Sequence, residues 1–373
     1  MIIAVDTRLF SKDTIQPEQC FLLEVITSLA RNHPEDQFIF LFDRPGNIGL
    51  HLPGNVIPVV KGPKINHLFM AKYWYDLRVP SILKKYKADI FLVLNGICSM
   101  TTAIPQCLVV HDLSFLDIRS HQNKAGSFFR RRFFPHSLEK AAQIITFSSL
   151  IRERIERLDK STIGKTSVIY GSPPVHIEPL DEENKLVVRA RYTGGKNYFL
   201  YAGPLDGQIH LIHILKAFSI FKKRQKSDWK LVLAGWHDGK GKSIAGQLHT
   251  YKHRTEVVLL EAGKSMLADL EGAAYAMIYP FGASGNGLQV LSAMKRGIPV
   301  IAAVVGGAGE VAGDAAIYID PGDHSDIAEQ MMRLYKDESL RNRLIEEGHS
   351  IANRYSLEEA GLLFWQSILR AIH

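Results

Sequence analysis

Two Rossmann-like, doubly wound α/β domains facing a central cleft are what this sequence predicts, and three observations carry the prediction. The chain has 373 residues, more than one hydrophobic core usually supports. Short runs rich in Val, Ile, Leu and Phe recur along it and are almost continuously apolar, as strands covered on both faces require. Several are followed by Gly, Asp or Asn and then by a helical stretch, the order of a parallel sheet wound with helices.

In the first half these runs are "IIAVDTRLF", "QFIFLFD", "NVIPVV", "DIFLVLN", "CLVVHD", "QIITFSS" and "TSVIYG". In the second they are "YFLYAG", "WKLVLAG", "EVVLLEAG", "AMIYPF", "PVIAAVVGG" and "AAIYID". Prolines, charge and the absence of periodicity mark the stretch between the two series as a connector. The boundaries are then a first domain over 1–175, a linker over 176–197, a second domain over 198–355 and a terminal helix over 356–373 that packs back on the first domain. Two such domains leave a cleft at the carboxyl ends of their strands, where ligands of this architecture bind.

Hydrophobic residues at 46% and charged residues at 22% suit a water-soluble chain, and no apolar run is long enough to cross a bilayer. The chain enters "MIIAVD" without a basic segment or cleavage site, so no signal peptide is expected. Cys20, Cys98 and Cys107 have no metal-binding spacing and suit a reducing cytoplasm. A net charge of +7 fits an anionic partner without selecting one.

Four segments are candidates for chemistry. The loop "ASGNGL", residues 283–288, opens a helix, and a helix start offers unpaired N–H groups to a phosphate. Yet no charged side chain lies between Pro280 and Met294. His111-Asp112 ends the strand run "CLVVHD"; His there can polarise a ligand hydroxyl, while Asp can equally cap the next turn. "GWHDGKGKS", residues 235–243, misses the phosphate-loop pattern by one residue and reads as a basic turn. In residues 121–137, Arg130, Arg131 and Arg132 lie among Phe128, Phe129, Phe133 and Phe134. Such a segment suits a peripheral membrane contact at the inner face, or a helix with its phenylalanines inward and its arginines solvated.

Taken in order, "IIAVDTRL", "VVHDLSFL", "LEKAAQIITFSSLIRERI", "YFLYAGPLDGQIHLIHILKAF", "LVLAG", residues 279–302 and "GEVAGDAAIYIDPGD" resemble the retaining GT-B-fold glycosyltransferases of the "glycosyl transferases group 1" family. The resemblance implies a hexosyltransferase without a metal or other cofactor. A nucleotide-diphosphate sugar would bind the second domain and a glycan or lipid-linked acceptor the first, in cytoplasmic assembly of a cell-envelope polysaccharide or glycolipid. Nucleic acid is not an expected partner. It also implies roles: His111 and Asp112 as catalytic residues, Asp6 and Arg8 on the acceptor side, and Gly203, Gln208, Ser284, Gly285, Asn286, Gly287, Leu288 and Ser292 around the donor.

The chain departs from the family where charge is needed. The family's two glutamates of the donor loop are Ser284 and Ser292 here, and its Arg-Lys pair falls at Gln208 and Ile209. A serine hydroxyl cannot replace a carboxylate's paired acceptors. Two readings therefore stand: a transferase whose positive charge comes from Lys295 and Arg296 or from Lys240 and Lys242, and a catalytically degenerate member serving as a binding or partner subunit.

Overall fold

A computed structural model describes the chain except for residues 12–16, 45–51, 63–67, 117–123, 175–176, 206–208, 238–243 and 283–285. It divides into two compact units, Met1–Gly171 with Leu357–His373, and Ser172–Ser356.

In the first unit, seven strands form one parallel sheet: β1 (Ile2–Asp6), β2 (Gln37–Phe42), β3 (Val56–Val60), β4 (Ile90–Val93), β5 (Gln106–Val110), β6 (Gln143–Thr146) and β7 (Thr166–Val168). Their order is β3-β2-β1-β4-β5-β6-β7, so the chain reverses its winding direction beside β1. That reversal puts the carboxyl ends of β1, β4 and β5 side by side, the place where an open sheet of this kind holds its ligand. Ile3, Val5, Phe91, Leu108 and Val109 are wholly buried in the central strands. The terminal helix Leu357–Ile372 packs against the helix Pro17–Asn32 and against β4, β5 and β6.

In the second unit, β8 (Tyr198–Pro204), β9 (Lys230–Trp236), β10 (Val257–Glu261), β11 (Ala276–Tyr279), β12 (Val300–Ala303) and β13 (Ala316–Ile319) form a parallel sheet in the order β10-β9-β8-β11-β12-β13. Each apolar run read from the sequence overlaps one of these thirteen strands. Gly203 and Gly235 face one another in the register of β8 and β9, and a Cβ on Gly235 would sit 1.7 Å from the Gly203 carbonyl oxygen. Only glycine permits that approach.

The connector differs from its sequence reading. Residues 176–197 contain a helix, Glu182–Thr193, started by the Asp181 carboxylate accepting from Asn184 N at 2.7 Å and stopped by Gly194 at φ +64°. It belongs to the second unit, where Arg189 Nε donates to the Ala273 carbonyl at 3.1 Å. Its apolar Leu186 and Val187 are exposed, so no buried stripe marked it in the sequence.

Candidate active site

At the carboxyl end of β1, Asp6 is completely buried and collects hydrogen bonds from three side chains. Arg8 donates to it through Nε at 2.8 Å and Nη2 at 3.0 Å. The Tyr75 hydroxyl and the Asn95 amide each donate at 2.8 Å. Burial alone would lift this carboxyl, but the Arg8 charge and the three donors outweigh it and hold the group below its ordinary 3.8. The same carboxylate raises Arg8 although burial opposes its charge. The guanidinium also donates to the Tyr75 hydroxyl and lies over the Trp74 and Tyr75 rings, 5.6 and 4.6 Å from their centroids. A π-helical turn, Trp74–Arg78, presents both aromatics. Asp6 and Arg8 are thus a buried knot whose outward product is a fixed Asn95.

Asn95 lines a small, partly open pocket with Gly96, Val109, Val110, His111, Asp112, Phe115, Arg130 and Phe134. His111 leaves the end of β5 half-buried, with its Nδ1 enclosed and without a hydrogen-bond partner. Burial lowers its pKa below the ordinary 6.5, Asp112 opposes that shift, and Arg130 adds to it. A neutral imidazole in this setting can accept or donate a hydrogen bond to a ligand hydroxyl according to its tautomer.

The pocket's far wall is the helix Lys124–Lys140. Phe134 is buried edge-on against Phe115, with ring centroids 5.2 Å apart. Arg131 donates to the Phe115 carbonyl at 2.6 Å, and Lys72 stands over the half-buried Phe133 ring at 5.3 Å. Arg130 and Arg132 are exposed, Arg132 reaching His136 Nε2 at 2.8 Å. Phe134 therefore belongs to the core, and Phe128 and Phe129 lie outside the described side chains.

In the second unit the expected donor residues are arranged by backbone. Gly287 takes φ +75° just before the helix Leu288–Lys295, and a Cβ there would fall 2.7 Å from the Gly307 carbonyl. Gly306, at φ +120°, is tighter still: a Cβ there would fall 2.1 Å from the Gly282 carbonyl oxygen. These contacts clamp the loop after β11 against the loop after β12. Asn286 is buried, and its side-chain oxygen accepts from Leu288 N at 3.1 Å. Gly203 packs under Phe281, leaving 2.6 Å between that ring and a Cβ built on it. Gln208, Ser284 and Gly285 lie outside the described residues, as do Lys240, Lys242 and the side chain of Ile209.

Ser292 is turned toward a neighbouring helix. Its hydroxyl donates to Glu271 Oε2 at 2.9 Å, and Arg296 Nε lies 3.5 Å from the same oxygen. Burial lifts the Glu271 carboxyl above its ordinary 4.5 despite the pull of Arg296 and Ser292. Lys295 donates to the Asn353 side chain. Both cations offered by this helix are thus engaged between helices. Sequence reasoning missed Tyr75, Asn95 and Glu271, because nothing local ties them to their partners.

Among the described residues, one group has metal-compatible spacing: His33, Glu35 and Asp36, with ligand atoms within 4.8 Å of one another. Asp36 is paired with the amino terminus at 2.6 Å, and His33 stacks on Trp365 at 3.5 Å. The group precedes β2, at the sheet edge opposite His111.

A model of the family "Glycosyl transferases group 1" matches residues 185–350, nearly the whole second unit. This unit is a group 1 glycosyltransferase domain. The full chain has the two-domain GT-B architecture of that family. It aligns with 98% of the sucrose-phosphate synthase of Thermosynechococcus elongatus over 98% of its own length, at a TM-score of 0.77 and 17% identity. With Anabaena HepE in complex with UDP-glucose it shares 99% of each chain, a TM-score of 0.73 and 16% identity. At those identities the likeness is one of fold. In sequence, the O-antigen chain mannosyltransferase B of Escherichia coli is 26% identical over 253 residues, 66% of this chain and 66% of that protein, just under two thirds of its length. No helix among the described residues is long and apolar enough to span a membrane.

Proposed function

We propose that this glycosyltransferase moves a hexose from a nucleotide-diphosphate sugar to a glycan or lipid-linked acceptor, with retention, in assembly of a cell-envelope polysaccharide or glycolipid. The observation that carries the reading is the His111 pocket at the winding reversal of the first unit, in a chain whose second unit is a group 1 domain. The UDP-glucose complex of HepE and the mannosyl activity named for the Escherichia coli relative support a nucleotide-sugar donor and make mannose the first sugar to try.

In this reading the clamped glycine loops of the second unit bring N–H groups to the diphosphate, and His111 and Asp112 meet the sugar near the reacting carbon. The sugar departs from phosphate with charge developing on the leaving oxygen, so fixed N–H dipoles there count most in the transition state. No step needs a metal. The exposed Arg132 and the half-buried Phe133 support a peripheral contact with an anionic membrane surface.

Calorimetric titration with UDP, GDP, UDP-sugars and GDP-mannose tests the donor, followed by transfer assays and NMR of the product's anomeric carbon. Micromolar binding of one nucleotide with a retained anomer is the expected result. No binding at millimolar ligand would replace this reading by the second, a catalytically degenerate binding subunit. The engagement of Ser292, Lys295 and Arg296 between helices favours that second reading. Membrane contact is checked by co-sedimentation with anionic liposomes, which Arg132→Glu should reduce.

A further inference from the structure

We infer that the first unit docks on an anionic lipid bilayer through a face built from two elements: the turn Trp74–Arg78 with the residues just before it, and the helix Lys124–Lys140. The inference rests on the membrane contact proposed above for that helix and extends it to a second element, which sets how the unit stands on the lipid.

Both elements are two-sided. The inner side of the turn carries Trp74 and Tyr75, buried around Arg8 and Asp6, and the inner side of the helix carries Phe134, buried against Phe115. The outer sides expose Lys72, Leu77 and Arg78 on the first element and Arg130 and Arg132 on the second. One contact joins them, with Lys72 Nζ 5.3 Å from the Phe133 centroid. Arg78 and Arg130 also lie over rings, 5.4 Å from the Tyr73 centroid and 5.8 Å from that of Phe115. A cation resting on an aromatic ring lays its apolar stem along the surface and keeps its charge in water, the posture of a side chain at a headgroup boundary.

Charge selects an anionic partner. Residues 70–80 and 130–137 hold five Lys or Arg side chains and one carboxylate, Asp76, which accepts from Met100 N at 2.8 Å. Arg131 turns inward to the Phe115 carbonyl, and the other four cations are exposed. Leu77 decides between two kinds of polyanion. It is 60% exposed beside Arg78, and a soluble polyanion would engage the cations and leave it in water. A bilayer takes both, with the cations at the headgroups and Leu77 at the acyl boundary beside the half-buried Tyr73 and Phe133. Docking there brings the carboxyl edge of β1, β4 and β5 close to the lipid surface, as a lipid-linked acceptor requires.

Cys20, Cys98 and Cys107 are buried, so one introduced cysteine can carry an environment-sensitive dye. The full chain is labelled at Leu77→Cys or, as a control, at Lys160→Cys, which precedes β7 at the opposite edge of the sheet. Each is titrated with vesicles of phosphatidylcholine containing phosphatidylglycerol, and with vesicles of phosphatidylcholine alone. A blue shift is expected at position 77 with the anionic vesicles only, and none at position 160. Co-sedimentation of unlabelled variants then reads affinity. Lys72→Gln with Arg78→Gln should weaken it about twentyfold, since each cation near an anionic surface contributes about fivefold. Lys87→Gln with Lys160→Gln, the same loss of charge at the amino edge, should leave it nearly unchanged.

No shift at position 77 overturns the proposal, as does equal loss in the two double variants, which would mean diffuse charge. Loss in Arg132→Glu without loss in Lys72→Gln with Arg78→Gln overturns the two-element face and leaves the helix contact standing. Heparin that binds and displaces the protein from vesicles, with no shift at position 77, would assign the face to a soluble polyanion. None of these readouts needs turnover, so failure of the donor titrations leaves this result separately readable.

Discussion

Asp6 in the first unit and Glu271 in the second are both buried carboxylates beside an arginine, and they are held on opposite sides of their ordinary pKa. Asp6 has a two-point contact with Arg8 plus donors from Tyr75 and Asn95. Glu271 has one serine hydroxyl and an arginine nitrogen at 3.5 Å. The desolvation cost is similar in kind, so the number and geometry of donors decides the sign. The contrast extends to the two carboxyl edges. The first is built of polar side chains held by a buried ionic knot, and the second of glycines that let two loops touch through their backbones.

The strongest way to break the second half of that contrast is Gly235→Ala. A Cβ 1.7 Å from a backbone oxygen cannot be accommodated without separating β8 from β9. A loss of more than about 4 kcal/mol, or failure to fold, is expected in urea unfolding. Full stability would show that the β8–β9 edge yields.

Asp6→Ala comes next, at about 3–5 kcal/mol, because it leaves the Arg8 charge buried without its partner. The double variant Asp6→Ala with Arg8→Met should recover much of that loss. Asp6 also sets a pH dependence. Its folded pKa is depressed, so its contribution is present above 3.8 and is lost as pH falls below that value.

Glu271 has the opposite sign. Its folded pKa is raised above 4.5, so its cost sets in as pH rises through and beyond that value. Glu271→Gln should therefore flatten the decline in stability between mildly acidic and neutral pH, whereas Asp6→Asn should not. Parallel pH curves for the two variants would erase the comparison.

Ser292→Ala is expected to cost about 1 kcal/mol of stability, the worth of one hydrogen bond, and to leave nucleotide affinity unchanged. A fall in affinity in calorimetry would mean the hydroxyl leaves Glu271 for the ligand. The smallest effect is at His111, whose depressed folded pKa makes stability decline as pH falls below 6.5. His111→Gln should remove that component from the pH profile.

The fold was legible strand by strand, because parallel strands buried on both faces are apolar throughout and need no partner to be recognised. His111 and Asp112 were legible for the same reason, standing where such a run stops. The helix Glu182–Thr193 was not, since Leu186 and Val187 face solvent and leave no periodic stripe.

By itself the sequence determined that there are two wound sheets, where each strand lies, and that no charged side chain stands between Pro280 and Met294. Tertiary structure decided which polar groups meet. Asp6 finds Tyr75 and Asn95 at separations of 69 and 89 residues, and Ser292 finds Glu271 at 21. Strand identity is written in local burial pattern, whereas a buried ionic contact depends on where separate loops and helices come together, and no single segment encodes that.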